Sequence, residues 1–175
     1  MNILVVVDMQ KDFIDGSLGT KEAVAIVPGV VEKIRGFEGQ VIATRDTHGA
    51  DYLETEEGRH LPVVHCVKDT PGWQLHPEVE EAVLAKAGSR IIDKPTFGSV
   101  ELGAYVRELD EKEPVEKITL VGLCTDICVI SNALLLKAYL PEVPVEVDIS
   151  CCAGVTPATH EQAAEAMKMC QIGIV

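Results

Sequence analysis

The sequence predicts a doubly wound α/β fold: a parallel sheet of six strands with helices on both faces, in one domain over residues 1–175. Three observations carry that expectation. The strand candidates, such as Ile3 to Val7 and Ile118 to Val121, are continuous apolar runs rather than alternating ones, the pattern of strands buried on both faces. These runs alternate with segments of helical period. Finally, Lys117 to Asn132 (KITLVGLCTDICVISN) reads as strand, glycine turn, capping residues Thr125 and Asp126, then a helix running to Tyr139. Consecutive strand–helix units of this kind wind a parallel sheet.

In order, the first strand, Ile3–Val7, ends at Asp8. Pro28–Phe37 reads as a short helix with Pro28 near its first turn. Gln40–Thr44 is the second strand and leads into Arg45, Asp46, Thr47 and His48. Thr47 to His76, about thirty residues, shows no sustained period, and a loop of that length is functional or disordered. Trp73 and the apolar piece Leu61–Val67 argue against disorder, and four of the five histidines lie there.

Pro77 opens a helix to about Lys86, with Glu78, Glu80 and Glu81 near its positive end. Arg90–Asp93 is the third strand, ending at Lys94, and Ser99–Glu111 is a helix stopped before Pro114. Strand four and its helix follow. Val143–Ile149 is the fifth strand, ending at Ser150, Cys151 and Cys152. Thr159–Met169 is the last helix, with a capping box of Thr159 and Gln162, and Ile172–Val175 is the sixth strand.

Composition narrows the function. The chain is 47% hydrophobic with a formal net charge of −13 and no basic cluster, which argues against a nucleic-acid partner. No apolar run reaches membrane-spanning length, and MNILVVVDMQ has no basic n-region, so a cytoplasmic protein with six reduced cysteines is expected.

Ligands of such sheets bind outside the carboxyl ends of the strands. That rule gathers Asp8, Asp46, His48, Lys94 and Cys128 on one rim. Cys128, in the first helical turn, sits where unpaired N–H groups and the helix dipole favour a thiolate nucleophile. Asp8 would take and return its proton, and Lys94 would balance the charge. The backbone N–H groups of Cys124 and Cys128 would face an oxyanion. The competing readings are a buried small hydrophobe for Cys128, a strand-end acid for Asp8 and an exposed amine for Lys94.

Asp46 and His48, with His65, form an O,N,N set for a divalent ion, and three protein ligands leave a position open. Glu54, Glu56, Glu57 or His60 would supply a fourth. Phe13 and Trp73 are candidates to stack on a planar substrate, or core residues. His76 reads as a cap neighbour and His160 as solvated.

The segments VVVDMQKDF, TRDTH, LPVVHCVKDTPGWQLHPEV, DKPTFGS and VGLCTDICV resemble the isochorismatase-like cysteine hydrolases, and within them the nicotinamidases. That resemblance implies strand order 3-2-1-4-5-6 and Asp8, Lys94 and Cys128 as the catalytic triad. It implies a cis peptide before Cys124 and one divalent ion on Asp46, His48 and His65, zinc first, with iron or manganese as alternatives. Glu57 is favoured as the further ligand. The ion would hold the pyridine nitrogen of nicotinamide, with Phe13, Leu123 and Cys124 against the substrate.

Two departures stand out: Thr47 replaces the tryptophan of many D-W-H motifs, and Leu61 to Val64 lack the usual ring-stacking tryptophan. The implied activity is hydrolysis of nicotinamide to nicotinate and ammonia through a cysteine thioester, in a protein that self-associates. The alternatives are a metal-independent relative acting on another amide, a ureido compound or isochorismate, and a non-catalytic small-molecule binder.

Overall fold

The computed structural model describes residues 1–175. Its centre is a six-stranded sheet in the order β3-β2-β1-β4-β5-β6, with every pairing parallel. The strands are β1 (Asn2–Val7), β2 (Gln40–Asp46), β3 (Arg90–Lys94), β4 (Lys117–Leu123), β5 (Val145–Ala153) and β6 (Gly173–Ile174).

The helices are α1 (Lys11–Ile14), α2 (Lys21–Gly36), α3 (Glu56–His60), α4 (Pro77–Leu84), α5 (Val100–Lys112), α6 (Ile130–Tyr139) and α7 (Pro157–Met169). Two 3₁₀ turns, Tyr52–Glu54 and Pro71–Trp73, and α3 give structure to the segment that has no period in the sequence. No helix is long and apolar enough to cross a membrane.

β1 explains the continuous apolar runs. Leu4 and Val6 face a core closed by α1, α2 and α4, while Ile3, Val5 and Val7 face a second core closed by α5, α6 and α7. Both faces of the strand are covered, so no alternation survives in the sequence.

Several boundaries differ from expectation. The first long helix begins at Lys21, capped by the Thr20 side chain, and Pro28 lies inside it. The buried stripe Ala23, Val27, Val30, Val31 and Ile34 runs past the proline. Pro28 and Val24 are exposed, so the Val24 carbonyl that the proline cannot satisfy faces water. β5 extends to Ala153 because a register shift between Leu120 and Gly122 lets Cys152 and Ala153 keep pairing. The last capping box is Thr156 with Thr159, one turn earlier than predicted, with Pro157 in the first helical turn.

Candidate functional site

At the carboxyl rim of the sheet the backbone itself sets up a site. Asp46 and Lys94 are direct partners in the β2–β3 register, and Val7 pairs with Gly122. Gly122 has φ +116°, and a Cβ there would lie 2.1 Å from the Val7 carbonyl oxygen, so only glycine lets β4 pass this close to β1. Asp8 adopts φ +47°, a left-handed conformation that aspartate tolerates better than most residues. Its N–H donates to the Thr44 carbonyl at 3.2 Å, and the Thr44 hydroxyl donates to Asp8 Oδ1 at 2.6 Å.

Four of the sequence-selected residues meet here. Lys94 Nζ stands 2.7 Å from Asp8 Oδ2, 3.2 Å from Asp46 Oδ1 and 3.3 Å from Cys128 Sγ. Asp8 and Lys94 are 0% exposed, Asp46 1% and Cys128 4%. An ammonium this deep is tolerable because two carboxylates surround it. Burial pushes Lys94 down, but Asp8, Cys128 and Asp46 outweigh it, and the amine titrates above its ordinary range. Burial, with the nearby Asp46 carboxylate, raises Asp8 despite Lys94.

Burial also pushes the Cys128 thiol well up, and the Asp8 charge adds to this. This burial works against the dipole-stabilised thiolate expected from the sequence. Desolvation outweighs the helix terminus here. The turn itself, Thr125–Val129, is π-helical and precedes α6, and the Leu123–Cys124 peptide is cis, as the resemblance implies. Cys124 is pushed up to about 12, mainly by burial.

A second cluster adjoins the first through Asp46. Asp46, His48, Glu57 and His65 each offer one ligand atom, and these atoms lie within 4.8 Å of one another. Asp46 Oδ2 is 2.9 Å from His48 Nε2 and 3.7 Å from His65 Nε2, and Glu57 Oε1 is 3.5 and 3.7 Å from the same nitrogens. Ligands about 2.0–2.2 Å from a tetrahedral ion stand roughly 3.3–3.6 Å apart, a span that these four distances bracket, so small side-chain shifts would bring the donors onto one ion.

His65 Nδ1 donates to the Val63 carbonyl at 2.7 Å, which leaves Nε2 free to ligate. Burial raises Asp46, but His48, His65 and Lys94 together hold its carboxyl well below the usual range. Glu57 alone of the four candidate extra ligands joins this group; His60 turns to the exposed Glu56 instead.

Several residues that the sequence did not single out hold these clusters. Gln10, fully buried, donates through Nε2 to the carbonyls of Asp46 and Trp73, both at 2.8 Å, and accepts from Asp46 N–H at 2.7 Å. Asn132 donates to the carbonyls of Cys128 (2.8 Å) and Phe97 (3.0 Å) and accepts from Ser99 N–H (2.9 Å). The Tyr52 ring packs 4.7 Å from His48 and 4.9 Å from His65. The available signal for Gln10 and Asn132 was their polarity beside otherwise apolar runs.

His160 departs from its expected solvation: it is half-buried and shares a 2.7 Å hydrogen bond with Thr125. Trp73 lies under Arg45, whose guanidinium is 3.7 Å from the ring, and does not face the cavity.

Both clusters open into one cavity of about 660 Å³. Phe13, Leu123, Cys124 and Cys128 line it, together with Asp46, Glu57 and His65. Asp8, Lys94 and His48 are behind this wall. The Phe13 ring lies 5.4 Å from that of His65.

The family model described as the isochorismatase domain matches residues 2–174. The chain belongs to the isochorismatase family. It is 28% identical over 185 residues to the nicotinamidase/pyrazinamidase of Mycobacterium tuberculosis, covering 100% of this chain and 98% of that protein. The nicotinamidase of Saccharomyces cerevisiae is 25% identical over 179 residues, covering 77% of this chain and 80% of the yeast protein. Among solved structures, the pyrazinamidase of Pyrococcus horikoshii in complex with zinc superimposes with a TM-score of 0.83 at 30% identity, covering 99% and 98% of the two chains. Family membership and the 3-2-1-4-5-6 sheet agree with what the sequence motifs imply.

Proposed function

We propose that this isochorismatase-family protein is a metal-dependent amidase that converts nicotinamide to nicotinate and ammonia. The observation that carries the reading is one cavity lined by a cysteine whose sulfur touches an ammonium that is itself paired with a carboxylate, beside a four-donor N/O cluster. The named activities of the mycobacterial and yeast relatives support it.

In the proposed reaction, Asp8 takes the Cys128 thiol proton as the sulfur attacks the amide carbon. A buried carboxylate with a raised pKa suits that exchange, because it can accept the proton and give it back. The N–H groups of Cys124 and Cys128 stabilise the oxyanion, each such donor contributing roughly 2.7–4 kcal/mol. Collapse breaks the C–N bond, Asp8 returns the proton to the departing amine, and a thioester remains. Asp8 then deprotonates water for attack on that thioester, releasing the carboxylate product and regenerating the thiol. Lys94 stays protonated and keeps the two acids and the sulfur from repelling one another.

Asp46, His48, His65 and Glu57 would hold a divalent ion, for which their spacing fits. Such an ion supplies Lewis-acid binding to an electron-pair donor of the substrate. Phe13 and Leu123 provide apolar contact for a flat ring.

The cavity wall also bears on the rivals. It carries Asp46, Glu56 and Glu57 with His60 and His65 but no arginine or lysine, which favours a neutral amide over the dianionic isochorismate. Ammonia release from nicotinamide and pyrazinamide tests the reading. Activity should vanish on chelation and return with zinc, manganese or iron; undiminished turnover by fully metal-stripped protein would overturn it.

A further inference from the structure

The cavity is larger than a single-ring carboxamide requires. Its volume of about 660 Å³ falls among sites that enclose drug-sized ligands, roughly 300–1,000 Å³. The two ends differ sharply. At the inner end Cys128, Asp46 and His65 are at most 4% exposed. At the outer end Leu61, Phe97 and Val155 are 37%, 43% and 52% exposed, with Leu18 and Ile127 half-buried between the two.

These five apolar side chains come from five separate segments: the α1–α2 connection, the end of α3, the loop after β3, the turn before α6 and the β5–α7 loop. No local packing brings them together. They share only the cavity, and large apolar groups left in water around a cavity mouth mark a surface that a ligand covers.

We infer that the substrate of this chain is an uncharged heteroaromatic carboxamide bearing an apolar substituent on the ring carbon that faces the mouth. The inference rests on the amidase reading above. In a pyridine-3-carboxamide, the ring nitrogen and the carboxamide-bearing carbon flank the same ring atom. With the carboxamide at Cys128 and the nitrogen toward Asp46 and His65, both anchors occupy one edge of the ring. Carbon 5, on the opposite side, points away from both and toward the open end.

A substituent there meets apolar side chains, with Glu56, Glu57 and His60 of α3 beside them and no lysine or arginine on the wall to receive an anion. An alkyl group fits that surface; a carboxylate or phosphate does not.

The test compares nicotinamide with its 5-methyl, 5-ethyl and 5-propyl derivatives. Binding is measured calorimetrically on zinc-loaded Cys128→Ala protein, and kcat/KM on the wild type. Each buried methylene should tighten binding about fourfold, so the propyl compound should bind roughly 60-fold more tightly than nicotinamide. Phe97→Ser should flatten the series.

Affinity that stays level or falls with each added carbon, while nicotinamide itself is bound and hydrolysed, overturns the inference and leaves the amidase reading standing. If, in addition, Phe97 and Val155 are protected from hydroxyl radicals in the free protein, the mouth is a contact between copies. If none of the four compounds is bound or hydrolysed, the amidase reading fails and this inference fails with it.

Discussion

Two sets of ion pairs in this molecule have the same chemistry and opposite surroundings. At the carboxyl rim, Lys94 sits between Asp8 and Asp46 with no side chain more than 2% exposed. On the flank of the sheet, Lys33 meets Asp148 at the same 2.7 Å, but the lysine side chain is 34% exposed. The flank pair can be lost with little consequence, since water replaces either partner. The rim trio cannot, because each of its charges depends on the others for what water would otherwise supply. A buried charge cluster beside a cavity is weak as a stabilising device and strong as a chemical one, and burial, not distance, separates the two.

The sharpest way to break this comparison is at the sulfur. Cys128→Ala removes a small buried group without unpairing any charge, so folding should change by no more than about 1 kcal/mol. Ammonia release should fall on the order of 10⁵–10⁶-fold if the sulfur is the nucleophile. A variant that retains activity would return Cys128 to the role of a core residue.

Lys94→Met comes next. It leaves two carboxylates facing each other without a cation and should cost about 3–5 kcal/mol in denaturant unfolding, along with activity. A loss near 1 kcal/mol would place the rim trio with the flank pair.

Gln10→Ala tests whether the backbone clamp on Asp46 matters to the neighbouring donors. The substitution frees the Asp46 N–H and carbonyl that Gln10 now satisfies. Metal affinity, read by competition with a chelator, should fall roughly 10–100-fold, as for other supports of a ligand. Unchanged affinity with lowered stability would make Gln10 purely structural.

The smallest effect belongs to Lys33→Ala, at about 1 kcal/mol or less. Its pH dependence is as informative as its size. Burial pushes Asp148 up, but hydrogen bonds from Lys33 and Ser150 outweigh it, and the carboxyl titrates below its ordinary 3.8. The hydrogen bond to Asp148 raises Lys33 above its ordinary 10.5. A lowered acid contributes stability above its unfolded value and loses it as the pH falls through the folded one. A raised base contributes below its unfolded value and loses it as the pH rises through the folded one. The difference between wild type and variant should therefore be constant between about pH 4 and pH 10 and close at either end. A gap that persists in strong acid would mean that packing of the lysine stem, not charge, is involved.

Much was legible before any coordinates. Two-sided burial writes continuous apolar strands into the chain, as at Ile3–Val7, and strand–helix alternation then leaves few arrangements of a parallel sheet. The strand-end rule, together with the spacing of Asp46, His48 and His65, was enough to nominate Asp8, Lys94, Cys128 and those three donors, because those signals are local; it left the fourth donor open among Glu54, Glu56, Glu57 and His60. Helix limits were less legible. Pro28 reads as a start until one sees that it lies on the solvent side of α2, and Thr156 is a cap only once its partner Thr159 is in place.

What only the tertiary structure decided was environment. The same lysine, acid and cysteine could have met in water, where the thiol would titrate normally and the amine would be an ordinary surface charge. Folding places them 3.3 Å or less from Lys94 Nζ in a space without solvent, and that desolvation raises the thiol, raises Asp8 and binds the amine to both acids. Residue identity is carried by the chain one position at a time. Electrostatic free energy depends on everything within several ångströms of a charge, and those neighbours come from β1, β2, β3 and the turn before α6 together.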